Sequence, residues 1–331
     1  MPLEPFYEEL NDKIREFDLA SLMGDPEGIG RYLAAFAPPP TYHAPATSVT
    51  EDRTIDGPHG EVPIRIYRPA SGEPSGLGLV WAHDGAWGAG SINDPGSDSF
   101  AREIVDRTAA VVVTVDYRLV HDDVRYPVPL DDYQAAFIWV RDHTSELGID
   151  PARLALGGGG CAANMAVATA LRLRDAGESG PAALVIPFSL FHLVVPEGTT
   201  EQRAKWEIIP QIISYNAPIV GFIWQNYVGA PVSEATDPYL TPAIADLGGL
   251  PPSLVITSEY DYLAPDGEAF AQLLETAGVP VTFREEQGVE HAHLNHPWTE
   301  GGQRSLDVIA SWLQDTVRGA ATPSVAATSN G

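Results

Sequence analysis

The chain has 331 residues, of which 44% are hydrophobic and 19% are charged, a balance that excludes a disordered or fibrous protein. Its formal net charge of -26 makes nucleic acid and anionic membranes unfavourable partners, because like charges repel. A single cysteine, Cys161, excludes an internal disulfide, and no stretch resembles a signal peptide or a membrane span, so we expect a cytoplasmic protein.

The first part of the chain predicts helices followed by a hairpin. Apolar residues recur at helical spacing between residues 3 and 36 and are interrupted by Gly24 and Pro26, which predicts two short helices. The stretches SVTEDRTI and EVPIRIYRP alternate polar and apolar residues around the turn DGPHG, as antiparallel strands do. A sheet is therefore expected to begin with an antiparallel edge.

The pattern then changes to apolar runs separated by amphipathic helices. The runs are LVWAH, AAVVVTVDY, RLALGG, AALVIPF, PSLVITSEY and VTFREE. Strands that are buried on both faces and joined by helical crossovers predict an α/β protein with a mostly parallel, doubly wound sheet. Ligands of such a sheet bind at the carboxyl ends of its strands.

One region interrupts this alternation. Residues 190–239 are rich in Trp, Ile, Pro and Tyr, and they are too apolar for a solvated loop. We expect them to form a helical cap, together with residues 1–40, on a single domain that comprises the whole chain. Residues 320–331 are small and polar, which predicts a flexible tail.

Seven short stretches carry a family resemblance. They are HDGAW at 83–87, VDYRL at 115–119, RYPVPLDD at 125–132, GIDPARLALGG at 148–158, DPYLTP at 237–242, SEYDYL at 258–263 and GVEHAHLNH at 288–296. In this order and at this spacing they resemble the bacterial hormone-sensitive-lipase-like carboxylesterases, a family of α/β-hydrolases with an N-terminal cap. The resemblance extends from about Val62 to Trp312 and implies an α/β-hydrolase fold.

The turn HDGAW follows a predicted strand, so we expect the backbone amides of Gly85 and Ala86 to form an oxyanion hole. The family usually has glycine at the position of Asp84. An ionised carboxylate there would repel an oxyanion, whereas a carboxyl kept neutral by burial can donate a proton. Alternatively, Asp84 turns outward and bonds to local backbone. Trp87 is a candidate substrate contact or a core residue beneath the turn.

Two further residues fit an esterase site. Asp261 and His291 follow neighbouring predicted strands, in the order acid then histidine that this fold uses after its nucleophile. The pair is expected to act as a histidine base oriented by an acid. Each residue considered alone has another interpretation: Asp261 could cap the helix that begins near Pro265, and His291 could be an ordinary surface histidine.

The expected nucleophile is missing. An esterase elbow has the pattern Gly-x-Ser-x-Gly, but this chain has GGGGCAAN. The resemblance aligns without a gap and implies that Gly160 stands at the serine's position. Cys161 is a candidate substitute, because a thiolate beside histidine is a strong nucleophile. The same register gives Cys161 an oxyanion-hole amide and turns its side chain under the helix, as in a small buried hydrophobe.

Three functions follow. We favour an enzyme without a serine nucleophile, in which a His-Asp general base and an oxyanion hole act on a small hydrophobic carbonyl compound (ester, lactone or enolisable). Its step would be non-hydrolytic, such as cyclisation or elimination in specialised metabolism. The alternatives are a carboxylesterase or thiol hydrolase using Cys161, and a catalytically silent ligand-binding protein. No cofactor is expected, and a homodimer is an open alternative to a monomer.

A histidine cluster near the end of the chain raises the question of a metal. His291, His293 and His296 have the spacing H-x-H-x-x-H, and histidine is a common zinc ligand. The stretch is predicted to be a loop, and it has no companion cysteine or second acid at a recognised spacing. We therefore expect no metal site.

Overall fold

A computed structural model of the protein describes residues 1–18 and 25–317. The predicted tail at 320–331 and the part of the predicted cap at 19–24 lie outside the described residues. Within these ranges, no helix is both long enough and apolar enough to cross a bilayer.

Eight strands of the described residues form one sheet, in the order β1-β2-β4-β3-β5-β6-β7-β8. The strands are β1 (Ser48–Gly57), β2 (Gly60–Pro69), β3 (Gly76–Ala82), β4 (Val111–Val115), β5 (Ile149–Gly158), β6 (Ala183–Pro187), β7 (Ser253–Tyr260) and β8 (Val281–Glu290). The pairs β1-β2 and β2-β4 are antiparallel and the others are parallel. The predicted α/β class, with its antiparallel edge, is confirmed.

Helices connect the strands and cover the sheet. In the described residues they are α1 (Pro5–Ile14), α2 (Pro26–Ala35), α3 (Asp98–Thr108), α4 (Val128–Asp142), α5 (Thr144–Leu147), α6 (Cys161–Asp175), α7 (Thr200–Trp206), α8 (Ala217–Val228), α9 (Ala264–Thr276) and α10 (Glu300–Thr316). Short 3₁₀ turns lie at Gln211–Ile213, Pro242–Ile244 and His293–Asn295. The helices expected from amphipathic stretches are thus present.

The middle of the sheet is fully enclosed. Every residue of β4, β6 and β7 is buried, which explains why these strands are continuous apolar runs in the sequence. Because the parallel strands end at one edge, the loops that follow β3, β5, β7 and β8 meet there. These loops carry Asp84, Gly160, Asp261 and His291.

Two segments lie against this edge. Helix α1 buries Tyr7, Leu10 and Ile14 in a small apolar cluster that also contains Ile209 and Tyr260. In the 190–239 segment, α7 begins with a capping box in which the side chains of Thr199 and Gln202 bond to each other's backbone amides. Both segments contribute walls to the cavities described below.

Candidate active site

Gly160 occupies the sharp turn between β5 and α6. Its backbone angles are φ +54° and ψ -115°, which glycine adopts easily and other residues adopt only with strain. A Cβ atom at this position would lie 3.8 Å from His291 Nε2 and 3.2 Å from Asp84 Cβ. A side chain on this turn would therefore lie between Asp84 and the histidine.

The acid and the histidine predicted from the sequence are in contact. His291 Nδ1 and Asp261 Oδ2 are 2.8 Å apart, and Asp261 Oδ1 accepts a hydrogen bond from the Leu263 amide at 2.9 Å. Asp261 thus bonds both to the histidine and to the backbone just before helix α9. Since Nδ1 faces the carboxylate, Nε2 is free to accept a proton on the side of Gly160.

The electrostatics around the histidine favour its charged form. Burial alone would lower the pKa of His291, but the carboxylates of Asp261 and Asp84 outweigh this effect and raise it above its ordinary value. The His291 side chain is 11% exposed, whereas that of Asp261 is fully enclosed. An imidazolium formed during a proton transfer is therefore stabilised on both sides.

The loop after β3 has an unusual backbone. Gly85, Ala86 and Trp87 all have positive φ, and a Cβ at Gly85 would lie 2.2 Å from the carbonyl oxygen of Ala89. Only glycine fits this position. Gly85 and Ala86 line the same small cavity as Gly160 and His291. No hydrogen bond among the described residues uses the Gly85 or Cys161 amide, which leaves both available to a ligand.

Asp84 faces the cavity rather than the solvent. Its carboxylate accepts hydrogen bonds from Asn295 Nδ2 at 3.0 and 3.2 Å. Burial raises the pKa of Asp84, while the neighbouring His291 and His83 oppose the increase. The alternative that Asp84 turns outward to bond local backbone is not what the structure contains. Asn295 was not anticipated, because no sequence pattern links it to residue 84.

The Cys161 thiol is held under the oxyanion loop. Its sulfur accepts a hydrogen bond from the Trp87 amide at 3.2 Å and lies 3.8 Å from the Tyr117 hydroxyl. Burial raises the pKa of Cys161 to about 12, so that the thiol is neutral at physiological pH. Among the described residues, no hydrogen bond joins this sulfur to His291. This geometry is that of a structural cysteine.

Of the two alternatives for Trp87, the structure contains the core residue and not the substrate contact. Its ring is completely buried and stacks on Tyr227 with a centroid distance of 3.8 Å and parallel planes. It is absent from the described residues that line the cavities. The positive φ of Trp87 turns its side chain beneath the loop, so it supports the loop from the core.

The three clustered histidines have different surroundings. His291 bonds to Asp261, His293 is buried between the hydroxyls of Ser258 and Ser305, and His296 packs against aromatic rings. Burial lowers the pKa of both His293 and His296 to about 3, which keeps them neutral. In residues 1–18 and 25–317, no group of His, Cys, Asp or Glu is arranged to hold a metal ion.

Three cavities surround Tyr215, and two of them are also lined by His291. The central one is only about 30 Å³, room for about two waters, and contains Asp84, Gly160 and His291. A cavity of about 540 Å³ lies towards α1 and α2, and one of about 490 Å³ lies under the 190–239 segment. Tyr215 lines all three, and its ring centroid is 4.3 Å from that of His291. Sequence reasoning missed Tyr215, since it lies in a region without a regular pattern.

This sheet, with an acid-histidine pair and an oxyanion-type loop at its carboxyl edge, defines an α/β-hydrolase. A family model described as the alpha/beta hydrolase fold matches residues 79–295, and the chain belongs to this family.

Two of its relatives are a carboxylesterase and an arylesterase. The chain is 33% identical to carboxylesterase NlhH of Mycobacterium tuberculosis over 74% of this chain and 75% of that protein. It is 32% identical to an arylesterase of Saccharolobus solfataricus, over 76% of this chain and 78% of that protein. The structure of an esterase from Pyrobaculum calidifontis superimposes with a TM-score of 0.78 at 31% identity, over 96% of this chain and all of that chain.

Proposed function

We propose that this protein is an α/β-hydrolase-fold enzyme that works without a side-chain nucleophile. One observation carries the proposal: residue 160 is a glycine. A Cβ atom at this position would lie 3.8 Å from His291 Nε2, but glycine has none. The His291-Asp261 pair then has no protein hydroxyl to activate, and its base must act on the substrate itself. We interpret Gly160 as a replacement of the nucleophilic serine.

The proposed reaction is a proton transfer on a hydrophobic carbonyl compound. A substrate hydroxyl or an acidic C–H next to the carbonyl would occupy the space beside Gly160 and give its proton to His291 Nε2. The oxygen that becomes negative would accept hydrogen bonds from the Gly85 and Cys161 amides. The Ala86 amide, expected to be a donor, faces the Cys161 thiol instead. Cyclisation and elimination both fit this sequence of steps, since neither needs an acyl-enzyme.

Asp84 is proposed as the proton donor of the site. Its carboxyl lies beside Gly160, and burial raises its pKa, which favours the protonated form that can give a proton away. Asn295 holds the group in place through two hydrogen bonds. An acid opposite a base suits elimination, because the leaving hydroxyl needs a proton while His291 removes another.

A thiol hydrolase is the second candidate, but its support is weak. The Cys161 thiol has a pKa of about 12 and its sulfur is bonded to the Trp87 amide instead of the imidazole. For a silent ligand-binding protein, a histidine oriented by a buried acid would have no use. Both alternatives are measurable outcomes of the experiment below.

The remaining expectations are also proposals. Residues 1–40 and 190–239 would act as a cap that excludes water, and the apolar walls of the two larger cavities support a small hydrophobic substrate. With its charge of -26, the protein would not bind nucleic acid or anionic membranes. It would work in the cytoplasm, as a monomer or a homodimer.

The test follows proton exchange directly. Phenylacetone in D₂O exchanges its α-protons when a base removes them, and NMR measures the rate. We expect the protein to accelerate exchange about 10²-fold or more, and H291A to lose the acceleration. C161A is the matched control and should retain it. The thiol hydrolase would be established instead if C161A lost the exchange and if the parent protein carried an acyl group on Cys161 after incubation with p-nitrophenyl butyrate. Equal exchange rates in H291A and the parent protein would favour the silent ligand-binding protein.

A further inference from the structure

The 540 Å³ cavity has a polar patch in its wall that the proposed chemistry does not use. Glu290, Tyr7 and His296 line the cavity, and Asn11 lies behind Glu290. All four side chains are at least nine-tenths buried. We call this set the Glu290 patch. It lies next to the catalytic base, because Glu290 immediately precedes His291.

Glu290 is a buried carboxyl with few partners. In the part of the chain that the structure describes, its only side-chain hydrogen bond comes from Asn11 Nδ2. Burial raises the pKa of Glu290 to about 8; Asn11 opposes the increase, Asp261 adds to it, and Arg15 opposes it weakly. The Arg15 guanidinium donates instead to the carbonyl oxygen of Ile208 on the surface. No cation is paired with this acid.

Three polar atoms around Glu290 also lack partners. The Tyr7 hydroxyl, Asn11 Oδ1 and His296 Nδ1 are buried and have no hydrogen-bond partner among the described residues. The nearby Thr299 hydroxyl already donates to the His296 carbonyl and accepts from the Gly302 amide. Buried polar atoms without partners cost stability, and such atoms in a cavity wall commonly serve a ligand.

The rest of the wall suits a positive charge. Aromatic rings of Tyr32, Phe36 and Tyr260 line the same cavity, and the face of an aromatic ring attracts cations. Asp94 adds a further carboxyl group to this wall, and none of the described residues that line the cavity is Lys or Arg. His296 remains neutral, since burial lowers its pKa to about 3.

We infer that the Glu290 patch binds a protonated amine on the substrate. An ammonium group is a donor of several hydrogen bonds and accepts none, and it would meet the free carboxylate oxygen of Glu290 and the Tyr7 hydroxyl. The inference rests on the proposed function and deepens it, because it makes the substrate an amine as well as a hydrophobic carbonyl compound. An amine anchored at Glu290 directs the remainder of the molecule towards His291.

Three probes of matched shape test the charge preference: 3-phenylpropylamine, 3-phenylpropan-1-ol and 3-phenylpropionate. Isothermal titration calorimetry at pH 7 should show the amine binding at least about tenfold more tightly than the alcohol, with the acid weakest. Because Glu290 is largely protonated before binding and ionised afterwards, the amine should release up to one proton. The number released is obtained from titrations in phosphate and Tris buffers, which differ in ionisation enthalpy.

Variants assign the effect to the patch. E290Q retains the hydrogen bond from Asn11 and should lose both the preference for the amine and the proton release; Y7F should reduce the preference. E268Q removes a half-buried carboxylate outside this cavity and should behave like the parent protein. Equal or tighter binding of the alcohol, no binding of the amine, or an unchanged preference in E290Q would each overturn the inference. These titrations involve no turnover, so the preference for the amine is measurable even if the proposed reaction is wrong.

Discussion

Gly160 has a backbone conformation that favours glycine, and little space surrounds it for a larger residue. The positive φ places any side chain between His291 and Asp84. A Cβ atom added at position 160 would lie only 3.2 Å from the Cβ of Asp84. Such a conformation costs a residue other than glycine on the order of 1–3 kcal/mol. The site is therefore well suited to glycine and retains the surroundings of a nucleophile.

Restoring a hydroxyl at position 160 is a direct test of this geometry. We expect G160S to hydrolyse p-nitrophenyl butyrate through an acyl-enzyme, because the new hydroxyl would reach His291 Nε2. The oxyanion of the tetrahedral intermediate would accept hydrogen bonds from the Gly85 and Cys161 amides. Initial rates and the intact mass of the trapped intermediate measure the gain.

The double variant G160S/D84G should be about tenfold more active again, since it removes the side chain whose Cβ would lie only 3.2 Å from the new Cβ of Ser at position 160. G160A is the matched control: it has the same added carbon and strain but no hydroxyl, and should stay inactive. A folded G160S that does not form an acyl-enzyme would mean that the His291-Asp261 pair is not placed to activate a nucleophile.

Helix α1 shows how an element far from the chemistry shapes the site. Its buried face contacts Ile209, Tyr260 and Val289, while Lys13 lies on its exposed face. Tyr7 and Leu10 of the same helix line the 540 Å³ cavity. The position of this helix therefore determines the shape of the cavity.

Weakening the contact of α1 should open that cavity. Ile14 is fully buried, and I14A is expected to weaken the packing of α1 against the domain by about 2–5 kcal/mol. Helix α1 has few other contacts that could compensate for this loss. Hydrogen exchange by mass spectrometry should then accelerate in the peptide that covers residues 5–14 and remain unchanged in β6 and β7. K13A, on the opposite face of the same helix, is the control and should exchange as the parent protein does. Equal protection of α1 in both variants would contradict this role.

Sequence patterns predicted the elements better than their contacts. The strands were predictable because burial on both faces leaves continuous apolar runs such as VVVTV and ALVIP, and the hairpin because its polar and apolar residues alternate. The places of Asp84, Gly160, Asp261 and His291 followed from strand ends. Tyr215 and Asn295 did not, since their contacts depend on the tertiary path of irregular segments. The sequence left two alternatives open for Trp87, because the positive φ of this residue leaves no trace in the sequence.

At the scale of the whole molecule, negative charge dominates. The chain has 45 acidic and 19 basic residues, and many of its ion pairs already use the available arginines. The acids that remain unpaired repel one another across the surface. The folded state is thus expected to carry an electrostatic cost that depends on the ionic strength.

Added salt should accordingly stabilise the protein. The Debye length is about 30 Å at 0.01 M and about 10 Å at 0.1 M ionic strength, so repulsion between distant carboxylates fades over this range. We expect the melting temperature to rise by several degrees between 10 and 300 mM NaCl, measured by differential scanning calorimetry. The same rise in KCl is the control for a specific ion effect. A melting temperature that falls or stays constant would mean that local ion pairs matter more than the net charge.

Tyr215 is a wall residue common to all three cavities. The small central space has room for about two waters, and Tyr215 is the only described residue that lines both this space and the 490 Å³ cavity. His291 itself lines the 540 Å³ cavity, so a molecule there lies against the imidazole without passing the tyrosine ring. A molecule that enters from the 490 Å³ side would have to displace this ring first, and its rate of turnover would then depend on the rotation of a single side chain.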